Sequence, residues 1–130
     1  MKHVANENFR LTNPEIYFKE FSSNTPFPHF VIDNFLSEES ANRVLNNFEI
    51  TEKWTNLSLV NNYKKFLLND RESMDANCNE IIEELGSKEF IEYLSKCTGL
   101  KNIFLDKGLE GGGLQQSFSG GSLNMHTDFT

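Results

Sequence analysis

His126 and Asp128, one residue apart in the stretch Gly111–Thr130, are the side chains of this chain best placed to do chemistry. In an extended strand, residues i and i+2 leave the same face, so the imidazole and the carboxylate point together. Two imidazoles and one carboxylate on one face suit Fe(II) and leave positions open for other ligands. This pair supplies two of those three donors, and the remaining histidines are His3 and His29. Spacing alone says little, because an Asp two places after a given His arises by chance about once in sixteen at ordinary composition. The alternation around the pair says more. Ser122, Asn124, His126 and Asp128 share one parity, and Leu123, Met125, Thr127 and Phe129 share the other, so a polar row backs an apolar one.

The elements that must position this row read as follows. Leu114 to Phe118 and Ser122 to Phe129 have the pattern of two strands joined in a hairpin at Ser119-Gly120-Gly121. Upstream, residues 1–12 lack periodicity and read as a loose arm. Asn13-Pro14-Glu15 starts a short helix reaching about Ser22. Phe27 to Phe35 reads as a strand, with His29 partly exposed on it. Ser37 caps a helix to about Phe48. Trp54 to Val60 reads as a second strand, Asn61-Asn62-Tyr63 as a turn, and Lys64 to Leu68 as extended. Two helices follow, from about Asp75 to Leu85 and from the Ser87 cap to Gly99. Their apolar stripes are Cys78, Ile81, Ile82, Leu85 and Phe90, Ile91, Leu94, Cys97. Asn102 to Leu105 reads as a short strand. The two cysteines fall on helix stripes, which predicts buried free thiols rather than a disulfide or a metal site.

Composition narrows the function classes. A net charge of -7 argues against a nucleic-acid-binding surface, and Lys64-Lys65 is the only basic pair. No apolar run approaches the roughly 20 residues of a membrane span. The amino terminus has no apolar core of a signal peptide, so a cytoplasmic location is expected. At 130 residues the chain is expected to form a single domain with a moderate core.

The run GGGLQQ, the second GG, and LN-x-HTDF together resemble the iron-binding strand of 2-oxoglutarate- and Fe(II)-dependent oxygenases, in the branch similar to prolyl 4-hydroxylases. PFPHFVIDNFL before a capped helix, and KEFIEYLSKCTGL before the glycine-rich run, extend the resemblance over about residues 27–130. It implies an α+β fold, with amino-terminal helices packed on the sheet of an incomplete, jelly-roll-like double-stranded β-helix. The 130 residues would end before its second half.

The resemblance further implies that His126 and Asp128 bind Fe(II), with 2-oxoglutarate as small-molecule cosubstrate and ascorbate as accessory reductant. A second histidine and a basic residue gripping the far carboxylate would come from later strands. These 130 residues alone are therefore expected to be inactive. Asp128 keeps the carboxylate that halogenating relatives lack, which favours hydroxylation. Ser117 stands where prolyl 4-hydroxylases carry a tyrosine, which argues against peptidyl proline as substrate. Gln115 stands where related sequences often have histidine. Gln115, Ser117 and Asn124 are the candidates to touch the cosubstrate, and the substrate class stays open among protein residues, sugars, lipid-linked groups and metabolites. The competing readings are a non-catalytic binding module of the same fold and an unrelated α+β domain with an accidental HTDF.

Overall fold

The computed structural model describes residues 12–48, 53–57 and 62–125. Among these the chain is α+β, with four helices and one open, three-stranded antiparallel sheet. They fall into two compact units. One comprises Met1–Asn47 and Ala76–Leu105, and the other comprises Phe48–Asp75 and Asp106–Thr130. No described helix is long and apolar enough to cross a membrane.

The first unit is helical, and local chemistry sets its boundaries. Helix α1 (Pro14–Ser23) begins where the Asn13 side chain accepts a hydrogen bond from the Glu15 N–H and Pro14 needs no donor of its own. Helix α2 (Glu38–Asn46) begins at Ser37, whose hydroxyl accepts from the Ser40 N–H. Helix α3 spans Ala76–Leu85 and buries Cys78 and Ile81. Helix α4 (Lys88–Thr98) starts at the Ser87 cap and stops at Gly99, which is left-handed at φ 73°. Helices α1 and α4 pack together: the Phe18 ring lies where a side chain at Gly99 would sit, and the Tyr93 hydroxyl donates to the Thr12 carbonyl at 3.1 Å. Cys97 is fully buried and Cys78 nearly so, as their place on the helix stripes predicts, and neither forms a disulfide.

Two expected strands are not formed. Residues 27–35 contain no strand; the chain bends through 25–28 and turns at Asp33-Asn34, with Asn34 at φ 51°. Pro26 and Pro28 remove two ladder donors, and Phe30 is held by rings rather than by strand pairing, 5.1 Å from Tyr17 and 6.2 Å from Phe21. His29 lies in this loop with its Nδ1 2.8 Å from the Phe27 carbonyl. Residues 102–105 are likewise irregular, with Asn102 at φ 59° and Phe104 exposed.

The second unit holds the sheet, in the order β1 (Thr55–Asn56), β2 (Asn62–Leu68), β3 (Leu114–Leu123). Strand β1 is shorter than expected, and residues 58–60 of the anticipated strand lie outside the described residues. Asn62 and Tyr63 belong to β2 rather than to a turn. The register pairs Leu68 with Leu114, Phe66 with Gln116 and Lys65 with Ser117. Gly113 lets β3 enter: it sits at φ 92°, and a Cβ there would lie 2.5 Å from the Leu68 carbonyl oxygen. The preceding loop is tied by Asp106, whose carboxylate accepts from the N–H groups of Gly108 at 3.0 Å and Glu110 at 2.7 Å.

The expected terminal hairpin is corrected most sharply. Residues 114–123 form one strand paired along one side of β2, so Ser119-Gly120-Gly121 does not reverse the chain. It forms an irregularity inside the strand instead. Gly120 adopts φ 77°, and the Lys64 ammonium donates to the Ser119 carbonyl at 3.0 Å.

Candidate functional site

The two faces of the β2–β3 ladder differ in character. On one face Leu68 is buried opposite Leu114, and Phe66 lies opposite Gln116 with its ring 5.5 Å from that of Phe118, edge to face. On the other, Gln115 stands opposite Leu67 and Ser117 opposite Lys65, and both β3 side chains are exposed. The strand alternation has thus sorted an apolar face for packing from a polar face open to ligands.

Two of the candidate cosubstrate residues, Gln115 and Ser117, are therefore brought together on the exposed face. The Gln115 amide reaches back to the Gly111 carbonyl at 3.4 Å, a long bond that a better acceptor could replace. Asn124 follows directly after β3 and is exposed. His126 and Asp128 lie outside the described residues, and the structure does not place them.

One polar group was not singled out by pattern. The Oε1 atom of Gln116 is buried without a hydrogen-bond partner among the described residues. It sits on the packed face, in the row with Asn56 and Phe66, so it belongs to a different surface from Gln115 and Ser117. A glutamine at an apolar parity, between Leu114 and Phe118, is the signal that marks it in the sequence. A buried amide oxygen left unpaired costs about 1–3 kcal/mol.

As a donor set, an imidazole and a carboxylate fit Fe(II), and they fill two of the three protein positions that such a site uses. Among the described residues no group of three His, Cys, Asp or Glu side chains is placed to hold a metal. The titrating groups with displaced pKa values are elsewhere. Burial pushes the Tyr93 hydroxyl and the Cys97 thiol up, and both belong to the helical unit. No protein-family model, no curated protein and no solved structure matches this chain.

Proposed function

We propose that the chain carries the HxD half of an iron site, as the amino-terminal part of an Fe(II)- and 2-oxoglutarate-dependent dioxygenase that hydroxylates its substrate. On this reading the antiparallel sheet belongs to a double-stranded β-helix, and the β3 face bearing Gln115 and Ser117 lines its interior. The observation that carries the proposal is that face: exposed and polar, on the strand leading into HTDF, with Leu68, Leu114 and Phe66 assigned to the opposite side.

Each residue then has a role set by its chemistry. His126 offers a neutral imidazole nitrogen and Asp128 an anionic oxygen, both hard enough to hold Fe(II). Gln115 can donate its amide N–H to a carboxylate oxygen of 2-oxoglutarate, exchanging its long contact with Gly111 for a charge-assisted one. Ser117, and Asn124 just past the end of β3, can donate in the same way. Iron held by His126 and Asp128 would supply the coupling of 2-oxoglutarate, O2 and a substrate C–H bond to succinate, CO2 and hydroxylated product, one oxygen atom going to succinate and the other to the product, and ascorbate would keep the metal reduced.

The test is spectroscopic. Anaerobic addition of Fe(II) and 2-oxoglutarate to the protein carrying the later-strand histidine and basic residue should give the visible absorption of a 2-oxo acid chelated to iron. Alanine at His126 or Asp128 should abolish it, and Gln115→Ala should raise the 2-oxoglutarate concentration needed. Absorption that survives His126→Ala would overturn the assignment. A protein that carries those later strands and still binds neither iron nor 2-oxoglutarate would instead be a binding module without this chemistry.

A further inference from the structure

Lys64-Lys65 is the only basic pair of the sequence, and its two members are used differently. The Lys64 ammonium donates to the Ser119 carbonyl at 3.0 Å. Among the described residues the Lys65 ammonium makes no hydrogen bond and no ion pair, although the residue is half-buried. The strands themselves supply no counter-charge: β1, β2 and β3 together contain these two lysines and no Asp or Glu. In a chain of net charge -7, a sheet that carries only positive charge stands apart from the rest.

The neighbours of Lys65 on its face are hydrogen-bond donors. The rungs from Lys65–Ser117 to Leu68–Leu114 are consecutive and unshifted, and all lie on the Leu68 side of the irregularity at Lys64. Residues directly opposite in an antiparallel pair share a face, so Lys65 lies beside Ser117. Gln115, two residues from Ser117 on β3, is the diagonal neighbour of Lys65, at a spacing of about 7–8 Å that long side chains can bridge. Ser117 and Gln115 are both exposed, and the Gln115 amide makes its long 3.4 Å contact with the Gly111 carbonyl.

We propose that Lys65, Ser117 and Gln115 form a subsite for the carboxylate of a small organic acid. The ammonium supplies the counter-charge, and the hydroxyl and the amide N–H donate to the carboxylate oxygens. A carboxylate would give Lys65 the ion partner that the strands lack, and Gln115 a better acceptor than the Gly111 carbonyl. The proposal goes beyond the iron reading: it uses residues of the two ladder strands alone and holds whether or not the chain binds iron.

The test uses the full, metal-free chain, with succinate as the probe and NMR shifts as the readout. Titration at low ionic strength should move the Gln115 side-chain amide, the Ser117 N–H and the Lys65 Cε resonances together and saturably. Lys65→Met should weaken binding by about tenfold or more, and Lys65→Arg should keep it. Gln115→Glu, a near-isosteric change at an exposed position, should abolish binding by placing a like charge in the subsite. Lys88→Met removes the same charge from the helical unit, where Lys88 pairs with Glu92 at 3.6 Å, and should leave binding unchanged. Succinate binding that survives both Lys65→Met and Gln115→Glu would overturn the proposal. So would sulfate moving the same resonances with equal affinity, which would mark attraction of any anion to a positive sheet. A parent chain without these shifts overturns it as well, and leaves the iron assignment, read by the absorption of the iron chelate, standing.

Discussion

Replacing Gly113 by alanine probes the step that admits β3 to the sheet. Two costs add at this position. The backbone is at φ 92°, where an L side chain costs about 1–2 kcal/mol. The new Cβ would also lie 2.5 Å from the Leu68 carbonyl oxygen and 3.0 Å from the Asn69 Cα, both backbone atoms that cannot rotate away. Forcing them apart costs about 1–3 kcal/mol more, so the total is about 2–5 kcal/mol. Gly111→Ala isolates the first cost, since Gly111 has φ 71° and nothing within 4 Å of its added Cβ; it should cost about 1–2 kcal/mol. Gly108→Ala isolates neither, with no left-handed φ and only an ordinary 3.5 Å contact to Asp106; it should be neutral or stabilising by up to about 1 kcal/mol. Urea unfolding followed by circular dichroism reads all three. At an m-value of about 1.5 kcal/mol/M, the Gly113 variant should unfold about 2 M earlier than its parent. Equal losses at Gly113 and Gly111 would refute the close approach of β3 to Leu68.

Three further outcomes follow from the same geometry. Ser87→Ala removes the acceptor for the Phe90 N–H at the start of α4 and should cost about 1 kcal/mol by urea titration, with the added methyl of Ser87→Thr costing much less. Burial raises the Cys97 thiol, so the folded chain keeps its proton while the unfolded chain loses it above the ordinary thiol pKa of about 8.5. Stability should be complete below that pH and fall by up to about 1.4 kcal/mol per pH unit above it, with Cys97→Ala flattening the decline. Gln116→Leu removes the unpaired buried oxygen and should raise the urea midpoint, by about 1 kcal/mol of stability, whereas a loss would show that this oxygen has a partner in solution.

The helices were legible because their signals are local. Asn13-Pro14, Ser37, Ser87 and Gly99 each make their capping contact within four residues, so a short window contains both partners. The sheet was less legible because its decisive partners are distant in sequence. Ser119-Gly120-Gly121 has the composition of a hairpin turn and equally of a bulge, and what selects the bulge is Lys64, 55 residues away. Residues 27–35 alternate like a strand, but Pro26 and Pro28 deny it donors, and Tyr17 and Phe21 give Phe30 a different place to bury. In the candidate site, the common face of Gln115 and Ser117 could be read from strand parity alone. The irregularity beyond Ser117 could not, because it depends on Lys64 in the neighbouring strand rather than on the local pattern.

The central claim is that His126 and Asp128 bind Fe(II), and it is tested most directly by anaerobic calorimetric titration of Fe(II) into the protein carrying the later-strand histidine and into its His126→Ala and Asp128→Ala variants. The parent should bind one iron saturably, with each substitution weakening binding by at least about tenfold. Iron binding of equal affinity in all three proteins would contradict it.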